Sequence, residues 1–515
     1  MIAISLADLL TGIPTTRLAG DSTVLISNLC YDSRLAGPGS LFVALRGSYT
    51  DGHRYLRDAR ARGAHAALVE SWEPEVAGFP AVVQVPSTRV ALAPLAARFF
   101  GYPGESLNII GVTGTDGKTT TAYLIDVMLR ASGFRTGMLG TVAIRVGERV
   151  IEHDNRQTTP ESLEVQRLLA DMREAAVDWA VLEATSHGLA LPRLDCCPFD
   201  IGVVTNITQE HLEFHGTVEE YRWAKARLLE RVSAGSGRPG PRGAVLNADD
   251  EGARSIAPAA GPAPIVWFSS RGARAEIRAT GIETGSDGTR FRLETPTGSA
   301  GVRLALIGQF NVDNALAAAG VGHLIGLSAG EIAEGIGSLE SVPGRLRRVA
   351  LGQPFEVIVD YAHTPESLEK TLRLVRGLVR GRVIAVFGSA GERDRVKRPL
   401  QGAVGARLAD ISIFTSEDPR CEDPEAIIAE ISAGAEAAGA VEGRDYFRIE
   451  DRRAAIRAAI ERAGPGDAVV LAGKGHEQCI IYGVERRPWD EAGEAMAALQ
   501  GIGYGQTVEG EGGGR

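Results

Sequence analysis

Short apolar runs alternate along the chain with longer segments in which apolar residues recur at helical spacing. The first pattern is typical of strands buried in a parallel sheet, and the second of helices that cover such a sheet. The alternation predicts an α/β fold. The main strands are predicted at Leu41–Leu45, Ala66–Val69, Ala81–Val85, Leu107–Ile110, Trp179–Leu182, Ile201–Thr205, Val357–Val359, Val383–Phe387, Ile411–Phe414 and Ala468–Leu471.

Helical spacing is clearest in six segments. The predicted helices are His53–Arg62, Arg89–Phe100, Ala122–Arg130, Val218–Val232, Asn311–Leu324 and Ala329–Leu339. Three strand-like segments follow one another in mid-chain, at Glu276–Ile282, Thr289–Leu293 and Val302–Leu306. They predict an antiparallel addition at the edge of a sheet.

The chain has 515 residues, more than a single hydrophobic core usually supports. Proline and glycine mark candidate boundaries at Tyr102–Gly104 and Val342–Gly344. We therefore predict an N-terminal domain over residues 1–103, a central domain over 104–341 and a C-terminal domain over 342–500. The remaining residues, 501–515, are predicted to be a disordered tail because they offer almost no apolar side chains for packing.

Charge and composition exclude several classes of protein. The net charge of −10 argues against non-specific binding to nucleic acid, and no apolar run reaches the length of a membrane span. The N-terminal segment has no basic leader, and Asp8 interrupts its apolar run, so it fits a signal peptide poorly. Five cysteines without metal-ligand spacing fit a reducing compartment. These features predict a cytoplasmic protein.

The segment GVTGTDGKTTT, residues 111–121, lies between a predicted strand and a predicted helix. Glycines in such a turn free backbone N–H groups to bind phosphate oxygens, Lys118 can reach the outer phosphates, and the Thr119 hydroxyl can bind Mg²⁺. The usual phosphate loop has glycine where this chain has Val112, with Gly111 one place early. The segment is therefore a variant loop, and the alternative is a plain glycine turn.

Polar residues follow two further strands of the central domain. Glu183 ends one strand, and Asn206 and His211 follow the next, at the sheet edge where ligands of α/β proteins bind. Lys225 lies four residues from both Tyr221 and Leu229, on the apolar face of a predicted helix. A bare ammonium buried there needs a partner or a modification, unless its stem carries it to solvent. His211 is either a metal ligand or a satisfied core histidine.

The outer domains give weaker signals. The segments Asp32–Arg34 and Gly47–Gly52 gather glycine, hydroxyl and charged groups beside strands, which suits a polar ligand as well as a plain turn. The C-terminal domain resembles a dinucleotide-binding fold, but Gly388–Gly391 lacks the GxGxxG fingerprint. Binding of NAD is therefore not supported.

Nine motifs, in order along residues 30–490, together resemble the Mur ligases, and among them those that add a diamino acid to UDP-N-acetylmuramoyl-L-Ala-D-Glu. They are TGTDGKTTT, LEATSHGL, TNITQEHLEFHGT leading to Lys225, GQFNVDNALAA, VPGR, DYAHTPESLE, GERDRVKRP, EDPR and GKGHE. The resemblance implies an α/β protein of three domains: a small N-terminal domain for the UDP-substrate, a central P-loop ATPase-like domain and a C-terminal Rossmann-like domain. It implies an ATP-dependent amide ligase that works as a monomer.

The resemblance also implies roles for particular residues. ATP would be bound by Gly114, Thr115, Asp116, Gly117, Lys118, Thr119, Thr120, Asn311, Arg345 and Asp360. The UDP-substrate would be bound by Ser33, Ser48, Tyr49, Thr50, Gln157, Thr158, Thr159, Thr185, Arg193 and Lys225. The diamino acid would be bound by Arg393, Glu417, Asp418, Pro419, Arg420, Gly473 and Glu477.

The implied catalytic group comprises Lys118, Glu183, His211 and Lys225, with Lys225 carried as N6-carboxylysine. Thr119, Glu183, His211 and the carboxylated Lys225 would hold Mg²⁺. The D-glutamyl carboxylate would attack ATP to form an acyl phosphate, which the incoming amine then displaces. Carboxylation would turn the buried cation of Lys225 into an anionic ligand of Mg²⁺, which would account for its burial.

Two departures from the family pattern affect the substrates. Asp116 stands where the family usually has Asn, which adds negative charge beside the phosphates. Asp418 stands in a motif that in diaminopimelate-using members usually reads Asp-Asn-Pro-Arg, although Arg420 is present. We expect meso-2,6-diaminopimelate, with Arg420 holding its distal carboxylate and Asp418 its distal amine, and L-lysine or L-ornithine as the alternative. Less favoured hypotheses are a folylpolyglutamate synthase-like ligase and a non-catalytic nucleotide-binding scaffold.

Overall fold

The computed structural model describes residues 3–47, 50–152, 158–235, 240–285 and 287–505. The chain forms two compact units. One holds the N-terminal and central regions, and the other holds the C-terminal region from Leu339 on, with two short pieces, Glu283–Thr289 and Leu304–Gly308. Both units combine helices with largely parallel sheets, so the predicted α/β class is confirmed.

The N-terminal region contains a five-stranded sheet in the order β2-β7-β6-β5-β4. Neighbours from β4 to β7 are parallel, and β2 is antiparallel to β7. Apolar side chains pack on both faces of this sheet. Its elements are β1 (Ile4–Ser5), α1 (Leu6–Leu9), β2 (Arg17–Gly20), β3 (Leu25–Ile26), β4 (Asn28–Cys30), β5 (Ser40–Val43), α2 (Leu56–Ala61), β6 (Ala66–Val69), β7 (Ala81–Gln84) and α3 (Thr88–Phe99).

One predicted helix of this region differs from the structure. The segment predicted as a helix from His53 begins instead with a 3-10 turn, Gly52–Tyr55, before α2 starts at Leu56. The Asp51 carboxylate accepts hydrogen bonds from the backbone N–H of His53 and from its ring, and this local capping stabilises the tighter turn.

The central region contains an eleven-stranded sheet in the order β11-β10-β9-β12-β8-β13-β14-β15-β16-β17-β18. From β9 to β16 the paired neighbours are parallel, and the predicted strands of mid-chain extend one edge. The strands are β8 (Asn108–Thr113), β9 (Thr136–Leu139), β10 (Ala143–Val146), β11 (Arg149–Glu152), β12 (Trp179–Glu183), β13 (Ile201–Val204), β14 (Gly243–Asn247), β15 (Ile265–Ser269), β16 (Ile277–Gly285), β17 (Gly288–Thr295) and β18 (Gly298–Leu304).

Helices flank this sheet, and their apolar sides form the core with residues of β8, β12 and β13, which are buried on both faces. Because β9, β12, β8 and β13 are parallel neighbours, the residues that follow them meet at one edge. The helices are α4 (Lys118–Ala131), α5 (Ser162–Glu174), α6 (Ser186–Ala190), α7 (Leu212–His215), α8 (Val218–Ala234), α9 (Glu251–Ile256), α10 (Gln309–Ile325) and α11 (Ala329–Gly337).

The C-terminal unit is built on a six-stranded sheet in the order β19-β20-β24-β21-β22-β23, parallel from β20 to β23. Two apolar clusters cover its two faces. Its elements are β19 (Arg347–Arg348), β20 (Glu356–Asp360), α12 (Pro365–Leu378), β21 (Val383–Phe387), α13 (Lys397–Leu408), β22 (Ile411–Phe414), α14 (Pro424–Ala437), β23 (Tyr446–Arg448), α15 (Arg452–Arg462), β24 (Ala468–Ala472), β25 (Cys479–Tyr482), β26 (Glu485–Pro488) and α16 (Glu491–Gly501).

The end of the chain packs slightly further than predicted. Beyond α16, the Tyr504 ring contacts the Phe355 ring with centroids 6.0 Å apart. Residues 506–515 of the predicted disordered tail lie outside the described residues. Among the helices that the structure describes, none has the length and apolar character needed to cross a membrane.

Candidate active site

The phosphate loop joins β8 to α4 at the edge where the ends of the parallel central strands meet. Gly111 lies inside β8 rather than in the loop, and a Cβ there would come within 2.5 Å of Leu228 Cδ1. Glycine is therefore favoured at position 111 because a side chain there would crowd its neighbours. The loop itself begins at Gly114, after the end of β8. Gly114 and Gly117 both have positive φ, 155° and 86°, which L side chains rarely adopt. The variant spacing thus still gives a tight loop at a helix N-terminus.

Residues that directly follow β13 hold the loop in place through hydrogen bonds. The backbone N–H of Thr115 donates to the Asn206 carbonyl at 2.8 Å, and that of Asp116 donates to Asn206 Oδ1 at 3.0 Å. The Asp116 side chain is exposed, while its carbonyl accepts the Thr205 hydroxyl at 2.6 Å. Lys118 Nζ donates to the carbonyls of Gly114 and Thr115 at 2.9 and 2.8 Å. The sequence identified Asn206 only as a residue that follows a strand. The structure shows that it anchors the phosphate loop.

Lys225 is buried at the base of this loop. The side chain is 1% exposed, and Nζ donates to the Gly114 carbonyl at 2.7 Å and lies 4.5 Å from the centre of the Tyr221 ring. Burial lowers the pKa of Lys225 well below its usual value, and the nearby Lys118 lowers it further. The sequence left two alternatives open for Lys225, burial on the apolar face of α8 and extension to solvent, and the structure shows burial.

Glu183, at the end of β12, is fully buried and meets α4. Its Oε2 accepts the hydroxyls of Thr119 and Thr141 at 3.0 Å each, and its Oε1 accepts the Thr141 backbone N–H at 2.8 Å. No basic side chain forms an ion pair with Glu183 in the described part of the chain. Thr141 follows β9 and was missed from the sequence, because β9 itself was not among the predicted strands.

Four of the residues expected to contact the dipeptide lie beside Glu183. The Thr158 hydroxyl is 3.0 Å from that of Thr141, and Thr159 Oγ1 donates to the Glu183 carbonyl at 2.9 Å. Thr159 Oγ1 is also 3.0 Å from Thr185 Oγ1. Arg193 donates to the Thr159 carbonyl at 3.1 Å and pairs with Glu161. These contacts join hydroxyls and a guanidinium into one continuous group.

His211 makes its contacts elsewhere at this edge. It has a positive φ of 56°, and its ring lies 4.8 Å from the His187 ring. Its two nitrogens face Glu210 and Glu213, at 3.7 and 3.4 Å. None of these contacts joins His211 directly to Thr119, Glu183 or Lys225. His187, in α6, was not predicted as a site residue, because its ring contact joins segments that follow different strands.

The expected N-terminal ligand residues lie on two loops. Ser33 is buried in a 3-10 turn that Asp32 caps, and the Thr50 hydroxyl is 3.4 Å from the Tyr55 hydroxyl. The expected residues Ser48, Tyr49 and Gln157 lie outside the described residues.

Two expected ATP residues belong to the C-terminal unit. Burial raises the pKa of the Asp360 carboxyl, although the Arg345 guanidinium and backbone hydrogen bonds from Leu346 and Ala362 oppose it. The Arg345 guanidinium lies 5.0 Å from the centre of the Tyr361 ring. A third expected residue, Asn311 on α10 of the first unit, is buried, and its Oδ1 accepts Asn314 Nδ2 at 3.1 Å.

The expected diamino-acid residues follow β21, β22 and β24, which are neighbours. Glu417 is buried, and its Oε2 has no hydrogen-bond partner among the described residues. A Cβ on Gly473 would lie 3.0 Å from that oxygen. Arg420 has a positive φ of 55° and bonds through its backbone to Ile481. Pro419 lies directly between Asp418 and Arg420, and Arg393 is exposed in the loop before α13.

A buried lysine missed from the sequence lies between these residues. Lys474 Nζ donates to Asp418 Oδ1 at 3.0 Å and to Glu477 Oε2 at 2.5 Å, and its side chain is fully buried. Asp418 Oδ1 also accepts the Ile481 backbone N–H at 3.0 Å. Burial opposes the charge of Lys474, but the carboxylates of Glu477 and Asp418 outweigh it and raise its pKa. The Asp418 oxygen is therefore engaged internally, whereas the sequence interpretation gave this side chain to a substrate amine.

The Thr119 hydroxyl and the Glu183 carboxylate fit a magnesium site, because Mg²⁺ prefers hard oxygen ligands and a buried unpaired carboxylate gains from a cation. Within the described ranges, no group of three or more His, Cys, Asp and Glu side chains is arranged to hold a metal.

A phosphate loop at the central strand of a parallel sheet, with a buried carboxylate on the next strand, defines a P-loop nucleotide-binding protein. Three family descriptions match the chain: "Mur ligase family, catalytic domain" at residues 25–100, "Mur ligase middle domain" at 112–322 and "Mur ligase, glutamate ligase domain" at 344–475. The chain belongs to the Mur ligase family. It has the three Mur ligase domains and is an ATP-dependent ligase that forms amide bonds.

Similar proteins cover nearly the whole chain. A UDP-N-acetylmuramyl-tripeptide synthetase of Roseiflexus sp. (strain RS-1) is 52% identical over 93% of this chain and 96% of its own length. A UDP-N-acetylmuramoyl-L-alanyl-D-glutamate--2,6-diaminopimelate ligase of Geobacillus kaustophilus is 44% identical, covering 91% and 94%. A solved structure with the same name as the latter is 30% identical, with a TM-score of 0.64, and covers 97% of this chain and 99% of its own.

Proposed function

We propose that the chain joins meso-2,6-diaminopimelate to UDP-N-acetylmuramoyl-L-Ala-D-Glu at the expense of ATP, in the cytoplasm and as a monomer. The observation that carries the proposal is the continuous group at the sheet edge. There Thr119, which follows the phosphate loop, donates to Glu183, whose carbonyl accepts the Thr159 hydroxyl. Thr159 in turn contacts the Thr185 hydroxyl, and its carbonyl accepts Arg193. A phosphate site adjoining a site for a carboxylate is what an acyl-phosphate reaction requires.

The reaction runs in two steps. An oxygen of the D-glutamyl carboxylate attacks the γ-phosphorus of ATP, the bond to ADP breaks, and an acyl phosphate forms. The amine of the diamino acid then attacks the acyl carbon, inorganic phosphate leaves, and the amine loses a proton. Lys118 places its ammonium beside the transferring phosphoryl group, and Arg193 orients the carboxylate. Thr119 and Glu183 would hold Mg²⁺, with His211 and the carboxylated Lys225 as the further ligands that the resemblance implies, and the bound ion would supply positive charge between the two anions.

The environment of Lys225 supports its carboxylation. Desolvation favours the neutral amine, whose lone pair can attack CO₂. A nitrogen–carbon bond then forms, a proton is released, and the side chain becomes an anion. Intact mass measurement of active protein tests this step: an added mass of one CO₂ is expected, and a fully active preparation without it would refute the modification.

The choice of amino acid rests on the C-terminal site. Arg420 can pair with the distal carboxylate of diaminopimelate, which lysine and ornithine lack, and Arg393 and Glu477 can hold the other end. Because Asp418 is engaged by Lys474, the unpartnered Glu417 Oε2 is the better acceptor for the distal ammonium. Such charged hydrogen bonds discriminate by about ten- to a hundredfold.

Steady-state release of phosphate from ATP tests the whole proposal. It should require both UDP-N-acetylmuramoyl-L-Ala-D-Glu and a diamino acid, with kcat/KM highest for meso-diaminopimelate. In Arg420→Ala, the preference over lysine and ornithine should disappear. If that ranking is unchanged, Arg420 does not select the substrate. Activity with a folate substrate instead, or none with any amino acid, would refute the proposed function.

A further inference from the structure

The buried residues Arg452 and Glu491, with the partly buried Trp489, form a cluster next to the loops of the C-terminal site. Arg452 is the first residue of α15 and Glu491 the first of α16, and both side chains are fully buried. Arg452 Nε lies 2.9 Å from Glu491 Oε2, and Nη2 lies 2.5 Å from Oε1. Trp489 Nε1 donates to Glu491 Oε2 at 2.6 Å. The cluster is therefore a charge pair whose carboxylate is hydrogen-bonded on both oxygens.

The same guanidinium also holds two strand ends. Arg452 Nη1 donates to the Ser416 carbonyl at 3.2 Å, and Nη2 donates to the Ala472 carbonyl at 2.8 Å. Ser416 directly precedes Glu417, and Ala472 directly precedes Gly473. One side chain thus fixes the points from which two of the proposed amino-acid-binding loops leave the sheet.

Trp489 extends the cluster to a third loop. Its backbone N–H donates to the Gln478 carbonyl at 2.8 Å, and Gln478 directly follows Glu477. Trp489 and Glu491 therefore connect the segment carrying Glu477 to the same guanidinium. Three segments far apart in the sequence converge on one buried cluster, although no cluster side chain is among the proposed substrate contacts.

We propose that Arg452, with Glu491 and Trp489, is a positioning residue for the amino acid substrate, setting the spacing of Glu417, Gly473 and Glu477. The inference rests on the proposed function of these loops. Only arginine suits this place, because its planar fork carries five donors in fixed directions, whereas a lysine ammonium cannot reach two carbonyls and a carboxylate in the same geometry.

The chain offers a matched control on the same two helices. Arg453 pairs with Glu494 through bonds of 2.7 and 2.6 Å, also joining α15 to α16, but the Arg453 side chain is 69% exposed. Arg453→Lys therefore makes the same chemical change between the same helices at an arginine that is exposed to solvent. Trp489→Phe is a milder variant that removes one donor and keeps an aromatic ring.

The test measures kcat and KM for each of the three substrates, together with Tm, in the full-length protein. Arg452→Lys should raise KM for the amino acid about tenfold, and Trp489→Phe about threefold, the scale of losing hydrogen bonds to charged groups. KM for ATP and for the UDP-substrate should change less than about twofold, because the cluster holds no loop proposed to bind either of them. Arg453→Lys should match the wild type.

The outcomes separate the two proposals. A fall in Tm with an unchanged KM for the amino acid, or an equal rise in all three KM values, would show that the cluster supports the fold alone and would overturn the inference. If Arg452→Lys does not fold, Trp489→Phe decides by the same criteria. If the wild type shows no amino-acid-dependent release of phosphate, the proposed function fails, and the inference fails with it.

Discussion

The two units each bury one lysine completely, and the surroundings of these lysines are opposite. Lys474 has the carboxylates of Asp418 and Glu477 within 3.0 Å of its ammonium. Lys225 has one carbonyl and the face of Tyr221, and no ion pair among the described residues includes it. The pKa of Lys474 is accordingly raised, and that of Lys225 is lowered.

The comparison shows that burial alone does not decide the charge of a lysine. Desolvation acts on both side chains in the same direction, and neighbouring carboxylates decide whether the ammonium survives. Lys474 is a cation that neutralises two acidic residues, whereas Lys225 is a desolvated amine that we propose to be reactive. Substitutions at and around the two lysines can separate these roles.

The largest effect is expected for Lys225→Ala. Because the carboxylated Lys225 is proposed to stabilise charge in the active site, its loss should lower kcat about a thousandfold. Short carboxylic acids such as acetate should restore part of the activity by supplying the missing carboxylate. Glu230→Ala, an exposed position on the same helix, is the control. Nearly full activity in Lys225→Ala would mean that this side chain is not catalytic.

Lys474→Met should destabilise the C-terminal unit. Removing the cation leaves the buried Asp418 and the half-buried Glu477 beside each other without compensation, which costs about 3–5 kcal/mol. Urea unfolding monitored by circular dichroism measures the free energy of unfolding. A loss below about 1 kcal/mol, the scale of an exposed pair, would contradict the assigned ion pairs.

Lys225→Met should have the opposite effect on stability when the lysine is not carboxylated. Replacing a desolvated amine by an apolar side chain of similar length should raise the free energy of unfolding by about 1–3 kcal/mol near neutral pH, the cost of burying a polar group. The pKa of Lys225 is lower in the folded protein than in the unfolded chain, where it is about 10.5. Between these two pKa values the unfolded chain binds more protons, so the stability of the wild type rises with pH. The variant should lose that slope, and an unchanged slope would show that Lys225 stays protonated.

The smallest effect is expected for Asp418→Asn. Its carboxylate already serves Lys474 and the Ile481 backbone, so the ranking of the three amino acids should change less than about threefold, under 1 kcal/mol. Glu417→Gln, which alters the unpartnered oxygen, should change the ranking more. A reversed ranking in Asp418→Asn would return the selective role to Asp418.

The sequence predicted that Lys225 lies on an apolar helical face, because one helix carries both the lysine and its apolar neighbours, but it left extension to solvent open. It did not predict the ion pair of Lys474, because Asp418 lies 56 residues away and approaches only through the order of the strands. The ring contact between His187 and His211 was missed for the same reason. Local periodicity predicted most strands and helices, whereas side-chain contacts between loops depend on sheet order, which periodicity does not contain.

The strand order of the C-terminal sheet has a consequence for folding during synthesis. β24 is the last of the six strands to be made, yet it lies between β20 and β21. Until the ribosome has released residue 472, β20 and β21 lack their shared neighbour and expose unpaired backbone edges. This unit therefore cannot complete its sheet strand by strand from the N-terminus, and nascent chains that stop before β24 expose two strand edges on which other chains can pair.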